Sequence, residues 1–458
     1  MEERDVVIIG GGPAGYRAAI RVSQLGGKAT LIENNALGGT CINQGCIPVR
    51  TLLRAAEIVD LTRTAKDYGV NFKETEIDIS KMISRKDIIV RTLSSGVKQG
   101  LRSSRVEVIE GTGKLLSSSQ LEVQLQDGSK KEIKTRRIIL ATGSKWKKAT
   151  LPGGEKIITP TEVMEIKTIP KSMLIIGGGF IGTSIATIFS MLGTKISILE
   201  ESPRILPEID KEIVSIFEKE MEDKSIRLYT EAQVKKIEEK VQGEKNIVAT
   251  VRGEDVNLTA QCILMAEERE ANINGVGLDK AGVKLNEKKG ILVNRRMETN
   301  VPTIFAAGDV TMEHMWTHVA YVEGIIAAEN AMGRDSKIDY TAIPYATNTF
   351  PEISSVGMTE DEAIAQGYQV QVGRFPFSGN GLATILGQRM GMIKVITQGK
   401  YNQIIGVHII GPRAPDLIAE AALAMKLEIT PGEISATFHS HPTLSEGFWE
   451  AARNICGG

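Results

Sequence analysis

Two cysteines, Cys41 and Cys46, stand with four residues between them in the glycine-rich run GGTCINQGCIP. Pro48 and the helical pattern TLLRAAEIV follow. A thiol near a helix N-terminus ionises more readily, and the thiolate is the nucleophile of thiol chemistry. The spacing is not that of paired zinc ligands and no histidine lies nearby. That leaves a reactive pair or two buried structural cysteines. Near the other end of the chain, Glu446 follows His441 by five residues, with Pro442 between them. Proline forbids a helix across that interval, so a loop histidine followed by a helix from about Thr443 is expected. Histidine exchanges protons near neutral pH, as thiol–disulfide chemistry requires, and a carboxylate on its second nitrogen would hold its tautomer. The alternative is that Thr443 and Glu446 form only a capping box for that helix.

Such groups need elements to carry them, and two stretches supply a repeated one. VVIIGGGPAGYRAAIRVSQLGGKATLIE, Val6 to Glu33, aligns without a gap on MLIIGGGFIGTSIATIFSMLGTKISILE, Met173 to Glu200. Each is an apolar strand, a G-x-G-x-x-G turn, a helix, a second strand and a terminal acid, the pattern of a dinucleotide site. In the first copy Gly10 permits the tight turn, Gly12 lets the backbone approach a pyrophosphate, and Gly15 lets the helix pack on the strand. The helix N-terminus offers free N–H groups to the phosphates, and Glu33 can accept ribose hydroxyls. Gly177, Gly179, Gly182 and Glu200 repeat the set. Two such sites imply electron passage between two nucleotide cofactors.

The bulk properties are ordinary for a soluble globular protein of about three domains. Of 458 residues, 42% are hydrophobic and 24% charged, and the net charge of −1 favours neither nucleic acid nor an anionic membrane. No apolar run is long enough to span a bilayer. MEERDVVIIGGG enters a core strand almost at once, so no signal or transit peptide is expected. Four cysteines in a chain this long do not make a secreted disulfide framework. The expected location is cytoplasmic.

GGTCINQGCIP resembles the redox-active disulfide segment of the flavin-dependent pyridine nucleotide–disulfide oxidoreductases, and the resemblance spans essentially the whole chain. ATGS (Ala141 to Ser144) resembles the segment closing the first part of the flavin domain, and FAAGDV (Phe305 to Val310) its return, with Asp309 on the flavin ribityl chain. HSHPTLSE (His439 to Glu446) is similar to the C-terminal catalytic signature, most of all to that of dihydrolipoamide dehydrogenases. The resemblance implies an α/β fold with two Rossmann-like dinucleotide-binding domains, for FAD and NAD, and a C-terminal α+β dimerisation domain. Its implied bounds are 1–144 and 271–336 for the FAD domain, 145–270 for the NAD domain and 337–458 for the dimerisation domain. The β-rich VEVIEGTGKL and LEVQLQDG would be an insert, with Gly113 of the GTG turn against the adenosine of FAD or simply a turn glycine.

By the same resemblance Cys41 is the interchange thiol, Cys46 lies against the flavin, and His441 with Glu446 serves the cysteines of the opposite subunit of a homodimer. Further cofactor contacts are implied at Gly39, Thr40, Arg50, Thr142, Gly143, Thr317, Val234 and Glu268. The substrate would be a dithiol or disulfide, free or carried on a protein such as one with a lipoyl arm. Reduction of another disulfide, a persulfide or a metal ion, or a role as a flavin electron-transfer subunit, are the alternatives. Glu200 favours NAD, since a carboxylate repels a 2′-phosphate, although Arg204 lies close by. His439 and His318 read as structural, Cys262 as a core residue and Cys456 as an idle thiol.

Three positions depart from the family pattern. Val49-Arg50 stands for Ser-Lys after C-I-P, Ser184 for the carboxylate of G-x-x-G-x-E, and Glu268 and Ala271 for the glycine and proline of A-x-G-R-x-P-N. Arginine is a wider, permanently charged donor. Glu268 is expected to pair with Arg50 in place of the carboxylate that Ser184 replaces, and to weaken NAD binding.

Overall fold

The computed structural model describes residues 3–147, 149–239, 244–267 and 269–457. The chain falls into two compact units, each assembled from three stretches. Unit 1 comprises 1–51, 80–148 and 268–339; unit 2 comprises 52–79, 149–267 and 340–458.

Unit 1 is built on a buried parallel core. Val6 to Ile9 pair in parallel with Ala29 to Ile32 on one side and with Arg137 to Leu140 on the other. Val6, Val7 and Ile8 are fully buried, as expected of a strand covered on both faces. Ile304–Ala306 extends the sheet beyond Ile138 to Leu140. The strands Glu107–Leu115, Gln120–Leu125 and Lys130–Leu140 form the antiparallel insert. The GTG segment is not a turn: Gly113 lies inside the Glu107–Leu115 strand, opposite Val123. A Cβ there would press on the Ile9 side chain, so this glycine serves strand packing. The helices Pro13–Gln24 and Thr317–Ala331 pack closely on each other, because a Cβ on Gly324 would overlap the Ala14 carbonyl.

Unit 2 contains a four-stranded parallel sheet in the order Cys262–Met265, Ser172–Ile176, Lys195–Leu199, Arg227–Tyr229. An antiparallel sheet of Ala232–Glu239, Lys245–Val251 and Glu254–Ala260 adjoins it in sequence. The C-terminal stretch forms a five-stranded antiparallel sheet backed by the helices Ala414–Lys426 and Glu446–Cys456. Their apolar faces share one core with Phe377, Ile393, Val407 and Phe448.

Alternation in MIKVITQ would place Lys394 on a solvent face, but it is buried. Lys394 and Asp210 are each 1% exposed and lie 2.9 Å apart. Lys394 also reaches Glu360 at 2.8 Å and Glu212 at 3.0 Å. Asp210 caps the helix Lys211–Asp223 by accepting the Glu212 N–H at 3.0 Å. Beside Lys394 in the sheet, fully buried His408 bonds the Met358 carbonyl oxygen through Nε2 at 2.9 Å. No helix among the described residues is long and apolar enough to cross a membrane.

Candidate active site and cofactor sites

The cysteine pair sits where two helices meet in sequence. The expected glycine-rich loop is instead a five-residue helix, Gly39–Asn43, carrying Cys41 and entered through Gly38 at φ +98°. The next helix, Cys46–Thr64, begins at Cys46 itself, ahead of Pro48. Proline is tolerated in a first turn because its missing N–H would have had no partner there. Cys46 therefore occupies the helix N-terminus, where the dipole favours a thiolate. Arg50 lies one turn along the same helix, on the same face.

The two thiols are unlike. Cys41 hydrogen-bonds the Cys46 sulphur, and this contact, against opposition from burial and with help from the Thr317 hydroxyl, lowers Cys46 to about 6. Thr317 Oγ1 lies 3.5 Å from Cys46 Sγ. The Arg269 guanidinium adds a favourable charge. The same sulphur–sulphur contact, with burial, pushes the Cys41 thiol far up. One proton is shared unequally: Cys41 keeps it and Cys46 is the anion. Arg269 is itself held by Asp309 Oδ2, which also accepts from Ser144 Oγ at 2.8 Å. Its guanidinium carbon lies 5.6 Å from the Trp146 ring centre. The pairing of Arg269–Ala271 with Ser144–Trp146 brings these groups together. Nothing in the sequence marked Ser144 or Arg269 as neighbours of the cysteines. Thr317, expected at the cofactor, also proves to face Cys46.

Both fingerprints fold as expected and share a feature the residues did not reveal. Gly10 and Gly177 adopt φ of +107° and +104°. A Cβ on Gly15 would overlap the Gly10 carbonyl, and one on Gly182 the Gly177 carbonyl. Glu33 accepts the Gly11 N–H at 2.6 Å and the Asn35 N–H at 2.8 Å. Glu200 accepts the Gly178 N–H at 2.7 Å and the Ser202 N–H at 2.7 Å. Each acid thus ties down its own glycine turn while keeping lone pairs for a ribose. Arg204 donates to the carbonyls of Ile209 (2.9 Å) and Pro207 (2.6 Å) and so is committed to its own loop.

The residues fit the two cofactors. Gly12 and Gly179 cap their helices without any side-chain hydrogen bond, leaving the first amides for phosphate. Nothing lies within 4 Å of a Cβ built on Gly179. Among the described residues Thr142 Oγ1 is buried without a hydrogen-bond partner, beside Gly143 at φ +72°. A cavity of about 710 Å³ opens next to Glu33, lined among others by Asn35, Leu37, Ser94 and Val108. Gly39, at φ +57°, faces Gly12 so closely that a Cβ would strike it, and Thr40 follows in the same short helix.

Ser184 is 3% exposed, donates to the Phe180 carbonyl at 2.5 Å and accepts the Asn348 N–H at 3.2 Å. It is fully used within its own surroundings. Val234 packs half-buried at a bulge in its strand. Glu268 lies outside the described residues, and so does its expected pairing with Arg50.

His441 and Glu446 belong to unit 2. Nδ1 of the exposed His441 is 2.8 Å from Glu446 Oε1, and Glu446 Oε2 accepts the Thr443 N–H at 2.7 Å. One Glu446 oxygen thus faces His441 and the other takes the Thr443 amide, but the expected capping box does not form, since Ser445 is the N-cap and the Thr443 hydroxyl is not bonded to the Glu446 amide. The helix starts at Glu446 rather than near Thr443, since the Thr443 hydroxyl turns back to the Ser440 carbonyl at 2.7 Å. Partial burial opposes charge on Glu446, but the Thr443 amide and His441 outweigh it and hold the carboxyl below its usual range. An anionic Glu446 leaves Nδ1 as the protonated nitrogen and Nε2 as the free base. The side chain of half-buried His439 is instead engaged between Glu420 Oε1 at 3.0 Å and the Thr437 carbonyl at 3.1 Å. Cys262 is a buried strand residue and Cys456 is exposed on the last helix.

The pattern of the pyridine nucleotide-disulphide oxidoreductases matches residues 4–324, and that of their dimerisation domain matches 343–452. The chain is 38% identical to a dihydrolipoyl dehydrogenase of Thermus scotoductus over 99% of this chain and 98% of the relative. It is 40% identical to one of Chlamydia muridarum over 98% and 96%. The Cu(II) complex of the HOCl-induced flavoprotein disulfide reductase RclA from Escherichia coli superposes with a TM-score of 0.89 at 25% identity, covering 100% of this chain and 99% of that one.

Proposed function

Because the chain belongs to the pyridine nucleotide-disulphide oxidoreductase family, we propose that Cys41 and Cys46 are its redox pair and that it oxidises a dithiol of the dihydrolipoamide kind. It is an FAD-dependent, NAD-linked disulfide oxidoreductase of the dihydrolipoyl dehydrogenase type. Gly10, Gly12, Gly15, Glu33, Thr142 and Asp309 would hold FAD, and Gly177, Gly179, Gly182 and Glu200 would hold NAD(H); the bound flavin would supply two-electron transfer between the cysteines and NAD(H).

The residues perform the thiol half of the reaction. A substrate thiolate attacks Cys41 Sγ of the oxidised pair, the Cys41–Cys46 bond breaks, and Cys46 leaves as the thiolate. The second substrate thiolate attacks the substrate sulphur of the mixed disulfide. The substrate disulfide closes and Cys41 leaves with a proton. Two electrons pass from substrate to cysteines. Of the two thiol protons, one ends on Cys41 and the other on Nε2 of His441 of the partner subunit, whose imidazolium Glu446 stabilises. The observation that carries this reading is the setting of Cys46, at a helix N-terminus with the Thr317 hydroxyl 3.5 Å away, which favours it as the leaving thiolate and so directs attack to Cys41.

The dimerisation match and the sparse cysteines support a homodimer working in the cytoplasm. A steady-state assay with dihydrolipoamide and either NAD⁺ or NADP⁺ tests the proposal. Turnover with NAD⁺ that is lost in Cys41→Ser supports it. Absence of dithiol oxidation by the FAD-loaded protein overturns it.

A further inference from the structure

The segment from Glu200 to Asp210 joins the second fingerprint to the buried Lys394 cluster. At its start Glu200 accepts the Gly178 and Ser202 amides, both at 2.7 Å. In its middle the Leu206 N–H donates to the Gly178 carbonyl at 3.1 Å. The Ile205 side chain covers the same glycine so closely that a Cβ on Gly178 would meet its Cγ2 at 2.5 Å. Leu206 holds φ +46°, a left-handed shape that side chains seldom adopt. Such a shape persists only where its surroundings impose it. Arg204 supplies part of that constraint through the Pro207 and Ile209 carbonyls. The Ile209 N–H adds a bond to the Leu206 carbonyl at 3.0 Å. Asp210 comes next, and there the segment is anchored from outside. Lys394 Nζ meets Asp210 Oδ1 at 3.0 Å and Oδ2 at 2.9 Å, with both side chains buried. Lys394 itself stands inside the C-terminal sheet, opposite Arg374 on one neighbouring strand and His408 on the other. An unbroken series of bonds thus runs from Lys394 to the backbone of Gly178.

We propose that Lys394 is a positioning residue for the nicotinamide cofactor: by gripping Asp210 it sets the Glu200–Asp210 segment, and with it the Glu200 carboxylate and the Gly178 turn, in the shape that receives NAD(H). This rests on the second fingerprint as the NAD(H) site. Lys394 acts at a distance, through Asp210, and takes part in no bond-making step. Replacing a buried ion pair as a whole by apolar residues is often neutral, so stability alone does not account for charges here. What the pair adds is a fixed place for Asp210. The other two carboxylates on Lys394, Glu212 and Glu360, share Arg374 as a second partner. Asp210 alone of the three leads back to the fingerprint.

Calorimetry of NAD⁺ binding to the oxidised, FAD-loaded protein is the first test, at a temperature below every melting transition. Lys394→Met should raise the Kd about five- to twentyfold. Asp210→Asn, which can still cap its helix, should raise it too, and the double variant should do no more than Lys394→Met alone. Glu360→Gln takes a carboxylate from Lys394 without touching the segment and should leave the Kd within about twofold. Ile418→Ala opens a cavity in the same C-terminal core and controls for lost stability. In turnover, Lys394→Met should raise KM for NAD⁺ and spare kcat, with the flavin retained, because the first fingerprint lies in unit 1. A rise in Kd that Ile418→Ala reproduces at equal loss of melting temperature overturns the proposal, as does an unchanged Kd in both Lys394→Met and Asp210→Asn. If the native protein binds no NAD⁺, the function proposed above fails instead, and hydrogen exchange decides on Lys394. The Gly178, Ser202 and Leu206 amides should lose protection in Lys394→Met and Asp210→Asn but not in Ile418→Ala. Equal protection in all three variants refutes the positioning role.

Discussion

Lys394→Met removes the cation at the centre of a buried cluster. Three carboxylates touch that ammonium group: Asp210, Glu212 and Glu360. Glu212 and Glu360 retain Arg374, at 2.9 and 3.0 Å. Asp210, 1% exposed, keeps only backbone donors, so the loss falls on it. Leaving one member of a buried pair uncompensated costs about 3–5 kcal/mol. At roughly 2–4 °C per kcal/mol for a domain of this size, the melting transition should fall by about 6–20 °C. Asp210→Asn should cost less, because Lys394 keeps two carboxylates. The pH dependence has a definite sign. Burial works against the Asp210 charge, but Lys394 outweighs it and the folded pKa is depressed. Stability from such a group is present above the unfolded pKa and is lost as pH falls through the folded one. The gap between native and Lys394→Met proteins should therefore be full at neutral pH and close in acid. Differential scanning calorimetry of the holoprotein across pH measures it. A shift of less than about 2 °C at neutral pH, or a gap that widens in acid, would refute the reasoning.

Alkylation of Cys46 in the reduced protein should be half-maximal near pH 6, and Thr317→Val should move that midpoint upward; a midpoint in the ordinary thiol range, about 8–9, would contradict the thiolate assignment. His441→Gln should slow reduction of the enzyme by dithiol about 10²–10⁴-fold while leaving reduction of the bound flavin by NADH within a few-fold, as read by stopped-flow absorbance. Equal loss in both would make the histidine structural. Gly182→Ala should abolish NAD(H) binding in calorimetry while the purified protein stays yellow, and Gly15→Ala should do the reverse to FAD retention, since each new methyl would meet a turn carbonyl. Retained binding in both variants would show that the turns can yield.

The fingerprints, the insert strands and the C-terminal sheet were legible because strand alternation, glycine spacing and helix periodicity are local signals. The histidine–glutamate contact was legible from its short spacing, although the capping box read at Thr443 does not form. Groups joined across distant segments were hidden. Asp309 and Thr317 were expected at the cofactor through the resemblance, but their convergence with Ser144 and Arg269 beside Cys46, from separate strands and helices, carried no local signal. The burial of Lys394 has no local signal, since a lysine in a strand normally faces water and its acids lie far off in sequence, Asp210 at 184 residues. Gly113 was placed in a turn by its GTG setting, but its absent side chain answers to Ile9.

The paired bonds of Glu33 and Glu200 constrain how this enzyme can evolve. Each acid proposed to meet a ribose also fastens the glycine turn beneath it. A lineage changing cofactor preference by replacing Glu200 would loosen the Gly178 and Ser202 amides in the same step. The gain at the ligand would be masked by the damaged loop until a second substitution restored those two bonds. Cofactor choice and turn integrity are thus epistatic in both halves of the molecule, and a single change at either acid is expected to be an evolutionary dead end.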